Sequence, residues 1–182
     1  QSEASIQVLK AISQWMHICR IPAWDDPSGA GGLRYLVTRV SSSGDIMVVL
    51  CTTARQIPEF GRLSQSLQEA TDGHVRSLYQ LTLSPRPAHA LDGRCRLLSG
   101  KAVLRERLMG LSFDISPQTF LQVNNHLTDT LYTEVLKAAR LTGEEIVLDA
   151  YCGAGTISLA LARQARRVIG VELNAQAIEN AR

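Results

Sequence analysis

Residues 146–182 carry the pattern that most narrows the fold. A short apolar run at 146–150 holds Asp149 near its end, and Gly153 and Gly155 follow it. Residues 156–163 have the composition of a helix, a second apolar run at 168–171 stops just before Glu172, and 174–182 opens another helix. Apolar runs this short read as buried strands, and two strands joined through a helix run parallel. Strand, glycine turn, helix, strand, helix predicts the opening of a doubly wound parallel sheet, an α/β architecture. Such sheets hold ligands outside the carboxyl ends of their strands, where Asp149, the glycine turn and Glu172 all fall.

The residue types at that edge select a kind of ligand. Glycine lets the backbone approach a ligand where a Cβ would collide, and the helix behind the turn offers unpaired N–H groups. Glu172, 17 residues after Gly155, is spaced to accept both hydroxyls of an adenosine ribose. A diphosphate fingerprint wants a third glycine, and Ser158 stands there instead. Asp149 would repel a diphosphate but suits the ammonium group of a methionine moiety. S-adenosylmethionine is therefore favoured over NAD; the plainer alternative is that Gly153 and Gly155 only shape a turn. Cys152 sits beside that turn, where a helix N-terminus lowers a thiol pKa. No His or carboxylate is placed by the sequence to act with it, and a small packing residue is the better reading. His17, His74, His89 and His126 show no metal-ligand spacing.

Residues 1–115 read differently. Ile6, Leu9, Ile12, Trp15, Met16 and Cys19 line one face of a helix over 5–20, which Pro22 ends. Runs at 33–40 and 46–53 predict a hairpin. A helix over 59–70, a strand over 75–83, strand pieces at 95–98 and 102–108 and a return strand at 111–115 complete an α+β unit with antiparallel strands. A helix over 123–140, with Leu127, Leu131, Val135 and Leu136 on one side, leads into the parallel sheet. The chain thus divides into a central α+β domain, 1–115, and the first part of a second domain, 116–182. Charge divides with it: 13 Lys+Arg against 10 Asp+Glu in the first part, 6 against 7 in the second. Arg94, Arg96, Lys101, Arg105 and Arg107 are opposed locally only by Glu106. Strand spacing puts Arg105 and Arg107 on one face, which either meets phosphates or protects a solvated edge strand. A net charge of +2 names no partner by itself. No apolar run approaches the roughly 20 residues that span a bilayer, so no membrane partner is expected. Cys19, Cys51, Cys95 and Cys152 contain no CxxC pair, which excludes zinc-ribbon and thioredoxin readings and leaves free thiols in a reducing cytoplasm.

Three blocks carry a family resemblance. Phe113-Asp114-Ile115-Ser116-Pro117-Gln118-Thr119-Phe120-Leu121-Gln122-Val123-Asn124 resembles the F-x-I-S-P-x-S-F-x-Q-V-N segment of the RNA uracil-5 methyltransferases. Leu131-Tyr132, then Val147-Leu148-Asp149-Ala150-Tyr151-Cys152-Gly153-Ala154-Gly155-Thr156, then Gly170-Val171-Glu172 follow in that family's order and spacing. The match is specific over 111–182. It is looser over 1–110, where Gly32-Leu33-Arg34 and the strand pair after it resemble the family's central domain. The bacterial 23S ribosomal RNA branch is the nearest. The resemblance implies a class I, Rossmann-like S-adenosylmethionine-dependent methyltransferase domain, an RNA partner (23S ribosomal RNA first), no DNA, and a cytoplasmic location. It implies that Gln122 contacts the methionine part of the cofactor, that Tyr151 and Thr156 line the pocket at the glycine turn, and that Glu172 holds the ribose hydroxyls. With Asp149, Gly153 and Gly155, these are the candidate cofactor-binding residues.

The family's chemistry is covalent: a cysteine thiolate adds to carbon 6 of an extruded uracil and makes carbon 5 nucleophilic toward the methyl group. In the family, that cysteine and its partner base lie well downstream of the Glu172 block. Nothing in the 182 residues matches them, so no catalytic residue is assigned and the chain by itself is expected to be inactive. Many members also carry an RNA-binding barrel and a four-cysteine iron–sulfur cluster; where the full-length protein has them, they are expected before Gln1. Gln1 in place of Met, and Arg182 within a helix, lead to the expectation of a truncated second domain. Two other classes satisfy the same motifs. One is a small-molecule methyltransferase that shares only the cofactor half, against which the arginine cluster and the Gln122 block speak. The other is an S-adenosylmethionine- or RNA-binding module without chemistry of its own.

Overall fold

Seven consecutive residues, Ile46–Thr52, are buried at every position. A strand achieves this only when neighbours flank it and both of its faces are covered. The computed structural model, which describes residues 2–25, 28, 31–84, 86–87, 89–119 and 125–181, places this strand second in a four-stranded sheet. The strands are β1 (Leu33–Val40), β2 (Ile46–Thr52), β3 (Val75–Leu83) and β4 (Gly93–Gly100), side by side in that order. β1 and β2 form the expected antiparallel hairpin. β2 and β3 instead run parallel, with Leu50 opposite Gln80 and Thr52 opposite Thr82. This corrects the expectation of an all-antiparallel unit. The cause is α2 (Phe60–Ala70), which lies between them in the chain and supplies the crossover that parallel neighbours need. β4 returns antiparallel to β3.

One face of this sheet carries the core. α1 (Glu3–Ile18) contributes Val8, Ala11, Ile12 and Trp15, and α2 contributes Leu63 and Leu67, to a cluster with Ile46, Val48, Leu50 and Leu78. α1 starts two residues earlier than periodicity predicts because Ser2 caps it, its Oγ accepting the Ser5 N–H at 3.3 Å. Val8 and Ala11 take the inward places, and Leu9 is half exposed.

The chain divides into two compact units, Gln1–Leu104 and Arg105–Arg182. The division falls ahead of the expected 115/116 boundary, because the hairpin of β5 (Leu104–Leu108) and β6 (Leu111–Ile115) goes largely with the second unit. Met109 and Gly110 turn it with φ of +50° and +72°, the paired positive angles of a two-residue hairpin turn. Asp129 accepts the Met109 N–H at 2.9 Å, and Arg163 donates to the Met109 carbonyl at 2.9 Å. The second unit continues with α3 (Asn125–Ala139), β7 (Ile146–Ala150), α4 (Thr156–Leu161), β8 (Arg167–Val171) and α5 (Ala175–Ala181). β7 and β8 pair in parallel, Asp149 opposite Gly170, as expected. On α3 the expected apolar stripe is turned outward: Leu127 and Leu131 are exposed, while Thr128 and Tyr132 are buried. Among the described residues, no helix is long and apolar enough to cross a membrane.

Candidate functional site

β7 and β8 end side by side, and the chain between them builds a small polar edge. Tyr151 and Cys152 both donate their N–H groups to the Val171 carbonyl, at 2.7 and 3.0 Å, which fastens the turn to the end of β8. Tyr151, Gly153 and Gly155 have φ of +75°, +57° and +76°. Glycine takes such angles at little cost; a tyrosine does not, and backbone strain of this kind gathers at functional sites. The Tyr151 side chain is 90% exposed.

Two carboxylates frame the turn. Glu172, just past β8, uses one oxygen to accept the Asn174 N–H at 2.8 Å and the other to accept the Gly153 N–H at 3.0 Å. Those two bonds, the one from Asn174 first, hold its carboxyl below the ordinary carboxylate range. Each oxygen keeps a lone pair, so the group can still accept two hydroxyls. Asp149, at the end of β7, accepts a 2.5 Å hydrogen bond from Ser158 Oγ. Ser158 occupies the place of a third glycine in a diphosphate fingerprint, so the departure has a use: it fixes the acid. In the sequence it registers only as a missing glycine. The readable signal is a hydroxyl in the first turn of the helix behind an acid-ended strand.

Thr156 opens α4, and its Oγ1 lies 2.8 Å from the Tyr132 hydroxyl on α3. The bond is made on the inward side of α3, where Tyr132 is buried. Tyr132 is a positioning residue that the apolar periodicity of α3 conceals. Gln122 lies outside the described residues. The structure thus joins Gly153 to Glu172 directly, ties Asp149 and Thr156 to Ser158 and Tyr132, and leaves the Tyr151 side chain exposed.

Cys152 is not activated. Burial, then the charges of Asp149 and Glu172, push its thiol pKa up rather than down. This corrects the expectation that the helix behind the turn lowers it. Its sulfur packs over β8: a Cβ placed on Gly170 would lie 2.8 Å from Cys152 Sγ. Arg105 and Arg107 share an exposed face of β5, as expected. Arg105 is neutralised there by a two-pronged bond to Asp114, at 2.9 and 3.2 Å. Among the described residues, no group of three or more His, Cys, Asp or Glu side chains could hold a metal.

A parallel strand–helix–strand unit with a glycine turn and an acid closing the second strand defines a Rossmann-like domain of the methyltransferase kind. Residues 101–182 match the model of the tRNA (uracil-5-)-methyltransferase family. An uncharacterized RNA methyltransferase of Listeria monocytogenes is 39% identical over 87% of the chain and 35% of its own length. One of Clostridium tetani is 35% identical over 100% of the chain and 40% of its own length. The crystal structure of Pyrococcus abyssi tRNA (uracil-54, C5)-methyltransferase in complex with S-adenosyl-L-homocysteine superposes with a TM-score of 0.78 at 26% identity, over 99% of this chain and 42% of that one. Residues 101–182 carry the likeness to this family, and the chain as a whole is similar to RNA methyltransferases. It spans about two fifths of the length of the relatives it matches.

Proposed function

We propose that the chain is part of an S-adenosylmethionine-dependent enzyme that forms 5-methyluridine in RNA. The observation that carries the cofactor reading is the Glu172 carboxylate, tied to the Gly153 N–H at 3.0 Å with lone pairs to spare. Glu172 binds the ribose hydroxyls, and Gly153 and Gly155 let the nucleoside lie against the backbone. Asp149, held by Ser158, attracts the ammonium end of the methionine moiety. Tyr151, Thr156 and Gln122 complete the pocket. The cofactor, when bound, supplies an electrophilic methyl group on a sulfonium cation. Two carboxylates at this edge suit that cation and would repel a diphosphate, which supports it over NAD.

The substrate reading rests on the family. A cysteine thiolate adds to carbon 6 of the uracil, carbon 5 takes the methyl group, a base removes the proton from carbon 5, and the carbon 6–sulfur bond breaks to free the thiol. Cys152 does not fill that role, because its thiol is held protonated and packed. We assign the RNA as ribosomal, 23S, on the motif blocks; the family model and the Pyrococcus relative carry tRNA in their names, so both RNAs belong in the test. An iron–sulfur cluster and an RNA-binding barrel stay proposals for the full-length protein.

The experiment is a titration of S-adenosylhomocysteine into isotope-labelled chain, followed by nuclear magnetic resonance. The Gly153 and Gly155 amide signals shift with added ligand, and Glu172→Gln abolishes the shift. Signals that stay put in the unsubstituted chain refute the cofactor site. In a transfer assay, the full-length enzyme methylates uridine in 23S ribosomal RNA and not in tRNA, and the chain alone forms none. The reverse RNA preference overturns the ribosomal assignment, and methylation of a small molecule alone overturns the RNA reading.

A further inference from the structure

The N-terminal unit holds a second concave region that the cofactor reading does not use. Arg55, Thr82, Arg94, Cys95 and Arg96 line an open cavity of about 550 Å³. Beside it, Gln56, Ile57, Phe60, Arg96, Leu97 and Leu98 line a second one of about 350 Å³, of mixed polarity. Arg96 belongs to both. The sheet register explains the basic cluster: on β4, Arg96 stands opposite Gln80 and Arg94 opposite Thr82, so alternate residues place the two arginines on one face. Arg55 arrives from the segment after β2.

Buried Gln80 ties these parts together. Its Oε1 accepts from Arg96 Nη2 at 2.7 Å, and its Nε2 donates to the Ala54 carbonyl at 2.8 Å and to Thr52 Oγ1 at 2.9 Å. One neutral amide therefore orients the Arg96 guanidinium and anchors the backbone next to Arg55, without cancelling any charge. Two arginines elsewhere are spent on carboxylates, Arg76 on Asp45 and Arg105 on Asp114. Among the described residues, no carboxylate pairs with Arg55, Arg94 or Arg96. Three unspent guanidinium groups around one hollow suit a phosphate, which they meet with paired N–H donors. An adjoining hollow with an aromatic wall at Phe60 and polar groups at Gln56 and Arg96 suits an unpaired base, which stacks on the ring and hydrogen-bonds at its edge.

We propose that these two hollows take one phosphodiester of a single-stranded RNA segment and the base next to it. The phosphate sits among Arg55, Arg94 and Arg96, and the base packs against Phe60, Ile57 and Leu97. This contact lies on the N-terminal unit, and it rests on the RNA reading above. Its role is to grip the strand and set which uridine is presented.

The test is fluorescence anisotropy of the chain with a labelled single-stranded oligouridylate across a salt series. Arg55→Gln, Arg94→Gln and Arg96→Gln each weaken binding, and the three together lower the slope of log affinity against log salt by about 0.7. Phe60→Leu, which keeps the core contact, weakens binding by roughly tenfold and leaves the slope unchanged. Lys10→Gln, a charge change on α1, leaves slope and affinity as they are. All the variants alter exposed or half-buried groups, and circular dichroism verifies their folding. If the unsubstituted chain binds the oligomer and the three arginine variants match it, this site is overturned and the RNA reading survives. A chain that binds no single-stranded RNA at low salt overturns both. Binding of a polyglutamate peptide through these arginines, with no RNA bound, overturns the proposal in favour of an acidic protein partner.

Discussion

Gln80→Leu separates what the buried amide does for stability from what it does for the arginine beside it. Gln80 is 1% exposed and makes three hydrogen bonds, at 2.7, 2.8 and 2.9 Å. The magnitude depends on what its partners do afterwards. Thr52 Oγ1 already donates to the Ala54 carbonyl at 2.9 Å, so neither is stranded, and the exposed Arg96 passes to water. The loss is about 1 kcal/mol for each neutral bond and about 1.5–3 for the charged one, with no penalty for an orphaned buried group. A buried leucine beside Leu50 returns roughly 1.5–3 kcal/mol. The net expectation is a destabilisation of about 1–2 kcal/mol. Urea unfolding followed by tryptophan fluorescence measures it, because both tryptophans, Trp15 and Trp24, lie in the N-terminal unit. The midpoint falls while the slope with denaturant holds. In the anisotropy assay the same variant weakens oligouridylate binding with the salt slope intact, since every positive charge is still present. A variant as stable as the parent that also binds RNA equally well would falsify the role given to this network.

Three further outcomes follow from the geometry. Gly100→Ala drives a Cβ into the Arg76 carbonyl at a residue whose φ is +85°, and it should lower the stability of the β3–β4 pair by about 4 kcal/mol or more, read by hydrogen exchange. The hydroxyl of Thr142, and then its N–H, hold the Glu145 carboxyl at a pKa of about 2. Because the folded value is depressed, that stabilisation is present above the ordinary value of about 4.5 and fades as pH falls toward 2; Thr142→Ala should move the carbon-detected titration of Glu145 upward, and an unmoved curve removes Thr142 as the cause. Burial, and then Cys95, push the Cys51 thiol up to about 12, so iodoacetamide at pH 8 should alkylate it roughly a thousandfold more slowly in the native chain than in urea.

The strands were legible because their composition is local. Leu33–Val40, Val75–Leu83, Leu111–Ile115 and Ile146–Ala150 begin and end where the apolar runs and turn residues place them. Partner choice was not local. Nothing within 46–53 or 75–83 says that those strands run parallel; only the helix between them does, and it fits an antiparallel unit equally well on composition. α3 misled for a related reason. Leu127 and Leu131 are more hydrophobic than Thr128 and Tyr132, yet Thr128 and Tyr132 face inward, where Tyr132 meets Thr156. The candidate site was readable at Asp149, Gly153, Gly155 and Glu172, where residue type and position carry the chemistry. Ser158 and Tyr132 were both picked out in the sequence, but their contribution, a hydrogen bond across the fold, was not readable there. The basic run of 94–107 was visible only as a sum: the structure spends Arg105 on Asp114 and gathers Arg94 and Arg96 with Arg55, which is distant in sequence.

That redistribution gives each unit a charge suited to a different ligand. At the glycine turn, burial first and then the charges of Asp149 and Glu172 raise the Cys152 thiol pKa. A field that disfavours a thiolate also disfavours any anion, whether diphosphate or RNA phosphate, and favours a cation. The edge is therefore suited to a sulfonium nucleoside and hostile to a strand of nucleic acid. In the N-terminal unit the opposite holds: the guanidinium groups of Arg55, Arg94 and Arg96 meet no carboxylate among the described residues and offer a polyanion its place. If the cofactor site repels phosphate, the proposed RNA is held by groups outside it, and those arginines are the candidates proposed above. The raised Cys152 pKa leaves the attacking sulfur of the proposed reaction to another residue.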